Sequence, residues 1–235
     1  MTRYIFIIQG IHTRLLHQDP PVRMNTKKIR RLMRKYGLIC PVRKPNPYRK
    51  MARELRSNNY ANNLVNREFE NHRSRAILLT DITYLPYNNT FAYLSTIIDA
   101  FTKQVLSYVL RDNLKEDFVL ETINQLIKSH GISLTAETIV HSDQEIHYSC
   151  YRFIDIINDF ELRRSMPRRG YCWDNAPRES FFSHMKDEID ISNCHSFNEA
   201  KKIIDDWMEY YNNDRYQWKL AKLLPNEYYQ YILTG

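Results

Sequence analysis

Cysteine and glycine are scarce in this chain of 235 residues, and no long apolar run is present. The four cysteines are scattered and form no Cys-x-x-Cys pair, which argues against a zinc knuckle and against a disulfide framework. The apolar run at residues 4–8 is far too short to span a bilayer, and no small-residue cleavage site follows it. We therefore expect neither a signal peptide nor a membrane helix, and we predict a cytoplasmic protein.

Acidic residues are almost missing from residues 23–56, which contain thirteen Lys or Arg and a single acid, Glu54. The net charge of the whole chain is +7, so the rest of the chain is mildly acidic. A concentrated basic segment is typical of a module that binds phosphate groups. The acidic remainder is suited to hold carboxylates that bind metal ions.

The basic segment contains a predicted amphipathic helix that begins after Asn25, a suitable N-cap, and ends at Gly37. Its apolar residues recur at helical spacing: Ile29, Leu32, Met33 and Tyr36. Its other faces are cationic: Lys27, Lys28, Arg30, Arg31, Arg34 and Lys35. Six cations without one acid favour DNA binding over an ordinary solvated face. Within residues 1–21, the Ile-Phe-Ile-Ile run at residues 5–8 fits a strand, the edge of a helix, or out-of-place sequence near a reading-frame start equally well.

The central part of the chain has the pattern of an α/β domain. Strands are predicted at residues 77–84, 91–99 and 104–110, and short turns between them indicate an antiparallel meander. A helix is predicted at residues 115–130, followed by a strand, a helix, a strand and a helix to about residue 189. This order predicts a mixed sheet flanked by helices.

The predicted domain boundaries follow from these patterns. A basic helical module occupies residues 1–56, and a polar linker that either tracks a DNA backbone or simply connects occupies residues 57–75. The core occupies residues 76–190, and a C-terminal helix and tail packed on it occupy residues 191–235. The helix opens with the capping box Ser196-x-x-Glu199. For the tail, packing is favoured over DNA contact at four residues: Arg215, Trp218, Lys219 and Lys222.

Three carboxylates are the candidate catalytic residues. Asp81 lies inside an apolar strand, Asp143 follows the apolar run 137–140, and Glu179 lies early in a predicted helix, with thirty-five residues between the last two. Convergent carboxylates suit Mg²⁺ or Mn²⁺, which prefer anionic oxygen ligands. Two such ions hold the attacking and leaving oxygens of a phosphoryl displacement. The pattern therefore predicts metal-dependent phosphodiester chemistry.

Five short motifs in this order resemble the transposases of bacterial insertion sequences, specifically the downstream-frame product of elements with two overlapping reading frames. The motifs are Thr80-Asp81-Ile82-Thr83-Tyr84, His141-Ser142-Asp143-Gln144, Ser165-Met166, Trp173-Asp174-Asn175-Ala176 and Glu179-Ser180-Phe181-Phe182. The resemblance implies a ribonuclease H-like, retroviral-integrase-like core with a catalytic Asp81, Asp143 and Glu179 triad, preceded by a helix-turn-helix-like module. It also implies DNA cleavage and strand transfer at element ends with Mg²⁺ or Mn²⁺, through two ions.

The resemblance extends to partners and to supporting residues. It implies double-stranded DNA as element ends and target, a homo-oligomer on DNA, fusion to an upstream-frame product, and association with the nucleoid. Lys186 lies two helical turns after Glu179 and would hold the cut strand, or else is a surface lysine. His141 and Gln144 are candidate supports of the metal ligands, with an ordinary packed histidine as the alternative. Asp174 and Asn175 are predicted to cap the Glu179 helix.

Some residues depart from the usual pattern of the family. Glu145 stands where glycine is usual, which predicts a turn that is costly for a non-glycine residue and extra charge beside the metal site. Pro167 and Tyr171 replace small or polar residues. Two alternatives follow: an impaired or partial copy that only binds DNA or represses, and a metal-dependent nuclease of the same fold. Asp99, a competing carboxylate, is predicted to cap a turn instead.

Overall fold

The computed structural model describes residues 8–38, 61–65, 69, 73–114, 117–167 and 176–234, with the backbone alone at residues 9, 146 and 176–179. The chain divides into two compact units. One contains residues 1–44, 183–190 and 202–235, and the other contains residues 45–182 and 191–201. The boundaries that the sequence predicts at residues 56, 75 and 190 stay a prediction.

The unit of residues 45–182 and 191–201 contains a mixed sheet of five strands in the order β3-β2-β1-β4-β5. The strands are β1 (Ile77–Tyr87), β2 (Thr90–Asp99), β3 (Val105–Arg111), β4 (Ile139–Ser142) and β5 (Arg163–Ser165). β1, β2 and β3 pair antiparallel, whereas β4 pairs parallel with both β1 and β5. The hairpin between β1 and β2 turns at Asn88 and Asn89, whose φ angles of 40° and 58° suit asparagine. The predicted α/β architecture is confirmed.

Helices cover one face of this sheet. They are α3 (Asp117–His130), α4 (Ile146–Ser149) and α5 (Tyr151–Asp159), and a 3₁₀ turn at Gly131–Ser133 follows α3. Phe118, Ile123 and Leu126 of α3 pack with Phe153 and Ile157 of α5 in a buried cluster with the sheet. The helix predicted ahead of β5 is present as α5, and Cys150, which has an extended backbone, separates it from the short α4.

Residues 61–65, which the sequence assigns to a linker, lie along β5. The Met166 amide donates to the Asn62 carbonyl, and the Leu64 amide donates to Ser165 Oγ at 2.9 Å. Val65 and Phe69 are buried against Ile77, Leu79, Ala100 and Ile139. Burying side chains of this size contributes about 1.5–3 kcal/mol each. This segment is therefore part of the packed domain.

The unit of residues 1–44, 183–190 and 202–235 begins with α1 (Ile8–Leu16) and α2 (Thr26–Lys35), which pack against each other. The predicted cap of α2 is present, since the Lys28 amide donates to Asn25 Oδ1 at 2.8 Å. Ile29 is buried, but Tyr36 is 67 % exposed, so its assignment to the apolar face is wrong. All six cations of α2 are exposed. The helix-turn-helix prediction is not confirmed.

The same unit contains a buried ion pair. Glu188, the last residue of α6 (Ala176–Glu188), accepts bonds from the Arg215 guanidinium and from Trp207 of α7 (Phe197–Asn213). Burial lowers the pKa of Arg215, whereas the charge and the hydrogen bond of Glu188 raise it. The net result is a pKa above the ordinary value of an arginine. Burial and the charge of Arg215 lower the pKa of His184 to about 4. Arg215 is therefore a packing residue, as the sequence favours.

The predicted tail contains an eighth helix, α8 (Pro225–Thr234), that the sequence does not predict. Pro225 is its first residue, where a missing N–H costs nothing. The Glu227 carboxylate accepts from the Leu224 amide at 3.2 Å and caps the same end. Among the described residues, no helix has the length and apolar content needed to cross a membrane.

Candidate active site

Asp81 and Asp143 lie on neighbouring parallel segments, just beyond the last residue pair that joins β1 with β4. The last pair of the β1–β4 ladder is Thr80 with Ser142. Asp81 is the next residue within β1, which continues to Tyr87, and Asp143 is the first residue after β4. Neighbouring strands are about 4.8 Å apart, so one small cation would reach both carboxylates. Both side chains are half-buried. The parallel pairing of β1 with β4 thus brings two of the three predicted ligands together.

Backbone amides fix one oxygen of each carboxylate. Asp81 Oδ1 accepts from the Ile82 amide at 2.9 Å, and Asp143 Oδ1 accepts from the Glu145 amide at 2.8 Å. The second bond closes a turn in which Glu145 has φ −70° and ψ 153°. Any residue adopts this extended conformation, so the predicted strain at Glu145 is wrong. The turn instead uses Glu145 to orient Asp143.

Glu145 adds negative charge at the same place. Burial and then the charge of Glu145 raise the pKa of Tyr84 to about 12, and Asp143 and Asp81 contribute in the same direction. Burial, Asp81 and Asp143 likewise raise the pKa of Tyr148 well above its ordinary value. A negative potential from three carboxylates therefore acts on both phenols. Such a potential attracts divalent cations.

Two predicted supporting residues bind the end of β5. His141 Nδ1 lies 2.9 Å from Ser165 Oγ, and Gln144 Nε2 donates to the Pro167 carbonyl at 3.0 Å. His141 and Gln144 are both buried. Ser165 Oγ also accepts from Leu64, so three segments meet at this hydroxyl. These bonds hold the Asp143 turn against the point where the chain leaves β5.

The third predicted ligand is described only through its backbone. Glu179 lies in the first turn of α6, and its side chain is outside the described part of the chain. Asp174, Asn175 and Tyr171 also lie outside the described residues. Lys186 lies further along α6 and is half-buried. Among the residues whose side chains are described, no three His, Cys, Asp or Glu are grouped to hold a metal ion.

Asp99 has the structural position that the sequence predicts for it. Its carboxylate is fully buried, accepts from the Phe101 amide at 2.9 Å and forms an ion pair with Arg75 at 2.9 Å. The Arg75 amide donates to the same carboxylate. These bonds fix the chain where it enters β1, beside the pairing of Leu78 with Asp99.

The sequence gives no role to Tyr84, Tyr148 or Ser165, although all three contact or face the candidate site. Thr80 Oγ1 donates to the Tyr148 hydroxyl at 3.3 Å and so connects β1 with α4 beside Asp81. Tyr84 packs edge-on against Tyr93 with ring centroids 5.3 Å apart. The sequence feature that could have identified the two tyrosines is their position, because each follows a candidate aspartate by only a few residues.

The aspartates beyond the Thr80–Ser142 pair fit a hard divalent cation. Asp81 and Asp143 supply anionic oxygens on adjacent strands, and these are ligands that Mg²⁺ and Mn²⁺ prefer over soft metals. The half-buried position leaves room for water or phosphate oxygens. Of the residues whose side chains are described, Asp81 and Asp143 are those that would hold such an ion.

Glu145→Gln is expected to lower the pKa of Tyr84 from about 12 towards its ordinary value near 10. Removing a negative charge beside the phenol favours the tyrosinate form, so ionisation occurs at lower pH. An NMR titration of ¹³C-labelled tyrosine, with Tyr84→Phe for assignment, measures the shift. Glu137→Gln removes an exposed carboxylate paired with Arg163 and serves as the control. An unchanged Tyr84 titration in Glu145→Gln would show that Glu145 does not face this site.

Comparison with known proteins assigns this chain to a family. A family model described as "Integrase core domain" matches residues 71–172, and a second with the same description matches residues 161–225. The putative transposase InsK for insertion sequence element IS150 of Escherichia coli is 31% identical, over 91% of this chain and 74% of that protein. An uncharacterized transposase-like protein of Haemophilus influenzae is also 31% identical, over 88% of this chain and 94% of its own length.

A solved structure shares the fold. The Mos1 strand transfer complex superposes with a TM-score of 0.51 at 14% identity, covering 96% of this chain and 72% of that chain. The likeness supports a ribonuclease H-like core of the integrase and transposase type. The matching family models and the two relatives together show that the chain belongs to the family of bacterial insertion-sequence transposases with an integrase core.

Proposed function

We propose that this chain cleaves and transfers DNA strands at the ends of an insertion sequence, with Asp81, Asp143 and Glu179 as the metal-binding catalytic residues. The chain is a transposase by family, and polynucleotidyl transfer is the reaction of that family. The single observation that carries the residue assignment is the adjacency of Asp81 and Asp143 beyond the last pair of the β1–β4 ladder. The alternative of a protein that only binds DNA is not favoured by its transposase relatives.

The cofactor in this proposal is Mg²⁺ or Mn²⁺, as a pair of ions. When bound, the ions supply charge stabilisation at the attacking and leaving oxygens of a phosphodiester. The protein holds its carboxylates ready for them, since Ile82 and Glu145 donate backbone bonds to Asp81 and Asp143. Such fixed ligands reduce the reorganisation that the reaction requires.

The supporting residues act by position. Gln144 and His141 hold the Asp143 turn against the end of β5, where the chain continues towards α6. Glu179 enters the site from the first turn of α6, with Asp174 and Asn175 as caps of that helix. Lys186 contacts the DNA strand that is cut. These roles rest on the contacts described for His141 and Gln144. For Glu179, Asp174 and Asn175 they rest on the family motifs, and for Lys186 on its helical spacing from Glu179.

DNA binding in this proposal begins with α2. Its six cations are exposed along a helix of ten residues, and Arg and Lys on such a face bind phosphate oxygens. The partners are element-end and target duplexes, a second copy of the chain on DNA, and an upstream-frame product joined by fusion. Residence on chromosomal DNA, and so on the nucleoid, follows from the same affinity.

The proposed activity is tested with the purified chain, an upstream-fused version, duplex DNA of the element end, and Mg²⁺ or Mn²⁺. Specific nicking followed by joining of the freed 3′-hydroxyl to a second duplex is the expected result on denaturing gels. Binding without cleavage would support the repressor alternative. Cleavage without end specificity would support a nuclease of the same fold. A chelator control should abolish every metal-dependent product.

A further inference from the structure

A closed loop at residues 216–223, here called the Trp218 loop, connects α7 with α8. The Gln217 amide donates to the Leu223 carbonyl at 3.0 Å, and the Lys222 amide donates to the Gln217 carbonyl at 3.1 Å. Ala221 and Lys222 have φ angles of 51° and 69°, a region that residues other than glycine seldom adopt. A loop that keeps such a backbone holds its side chains in a defined arrangement.

The loop exposes a tryptophan that core packing does not require. Trp218 is 49 % exposed, whereas Trp207 is fully buried and donates its indole N–H to Glu188. The Lys222 ammonium lies 5.0 Å above the Trp218 ring, and the His12 ring of α1 lies 5.8 Å from it. Within the described residues, no hydrogen bond acceptor is found for the Trp218 indole N–H. At the surface, the Trp218 side chain therefore lies under the Lys222 ammonium and has an available indole N–H donor.

The charges around the loop are mixed, with Asp214 and Glu227 as acids and Lys219 and Lys222 as bases. Glu227 caps α8, and together with Asp214 it raises the pKa of Tyr216, for which burial is the first cause. Lys219 is exposed, and Lys222 is held over the indole. The loop therefore places the positive charge of its lysines beside the aromatic ring of Trp218.

α1 connects this loop with the cationic helix. The His12 ring of α1 contacts the Trp218 ring, and the His17 ring just after α1 contacts the Tyr216 ring. α1 also packs against α2. The Trp218 loop and α2 consequently belong to one compact unit, although nearly two hundred residues separate them in the chain.

We propose that the Trp218 loop is a second DNA-contacting surface, in which Lys222 and the Trp218 indole N–H bind phosphate oxygens of duplex DNA. The ring packs on the sugar-phosphate backbone, and its contact with Lys222 holds the ammonium before DNA arrives, which lowers the entropic cost of binding. The contact carries no base specificity. The inference rests on the proposed function because it takes DNA as the partner of the same chain.

The test measures the affinity of the full chain for a labelled duplex by fluorescence anisotropy across a salt series. Trp218→Ala should weaken binding about tenfold, and Trp218→Phe should weaken it less. Lys222→Ala should weaken binding about fivefold and lower the slope of log affinity against log salt by about one, because one phosphate contact is lost. Tyr231→Ala and Lys202→Ala change an exposed aromatic and an exposed lysine of the same unit and should bind as the unmodified chain does.

Circular dichroism establishes first that each variant keeps its helices. If Trp218→Ala loses helix, the decision rests on Lys222→Ala and Trp218→Phe. Unmodified affinity and salt slope in Lys222→Ala overturn the inference and leave the proposed function standing. An unmodified chain that binds no duplex DNA overturns both. Equal losses in the control variants would also overturn it, because the effect would then not be specific to the loop.

Discussion

Asp143→Asn is expected to reduce metal-dependent cleavage of element-end DNA by about a thousandfold or more, with DNA affinity unchanged. The metal interaction is worth several kcal/mol of transition-state stabilisation, and each 1.4 kcal/mol is about a factor of ten in rate. Asparagine keeps Oδ1, so it still accepts from the Glu145 amide and the turn is preserved. The substitution therefore removes the charge and leaves the local geometry.

The same reasoning applies to Asp81→Asn, whose Oδ1 retains the bond from Ile82. Asp159→Asn, an exposed aspartate on α5, is the matched control for loss of one negative charge and should cleave normally. Mn²⁺ binding measured by calorimetry should weaken in the two site variants and not in the control. Full cleavage by Asp143→Asn would exclude it as an essential ligand and would falsify the proposed site.

Removing either partner of the Glu188–Arg215 pair is expected to destabilise the fold by about 3–5 kcal/mol, since a buried charge is then left uncompensated. Arg215 Nε and Glu188 Oε1 are 2.9 Å apart, and Trp207 donates to the other carboxylate oxygen at 3.0 Å. Glu188→Gln keeps an acceptor for the Trp207 indole but removes the charge that Arg215 needs. Arg215→Met keeps the volume and leaves the carboxylate unpaired.

The double variant Glu188→Gln with Arg215→Met should be more stable than either single variant, because neither charge is then buried alone. Arg152→Met breaks the exposed pair with Asp117 and should cost less than about 1 kcal/mol. Urea unfolding followed by circular dichroism gives the free energies of unfolding. Additive losses in the double variant would contradict a direct interaction between the two side chains.

The sheet and the position of two carboxylates follow from local patterns in the sequence. Buried residues such as Leu78 and Ile97 belong to continuous apolar runs, which fix their strands by themselves. Asp81 and Asp143 terminate or interrupt such runs, so the parallel pairing of β1 with β4 is enough to place them together. The site could be predicted to this extent because each aspartate is tied to a strand of its own.

The remaining features depend on contacts between distant residues and leave little local signal. Ser165 Oγ meets Leu64 across about a hundred positions, and no composition rule indicates that a polar segment packs on β5. The Asp143 side chain sets the conformation of Glu145 by accepting a hydrogen bond from its amide. The usual presence of glycine at this position in the family does not reveal that contact. Likewise the exposure of Trp218 depends on α1, whose contact with the end of the chain is invisible in either segment alone.

The segment at residues 61–65 has a consequence for how this protein should be dissected. A fragment that starts at Ala76 would uncover the side of β5 that Asn62 and Leu64 occupy, and would bare the apolar patch beneath Val65 and Phe69. An open sheet edge next to exposed apolar surface is a template for aggregation. A soluble catalytic fragment should therefore begin before Ala61, so that residues 61–65 still cover the edge of the sheet at β5.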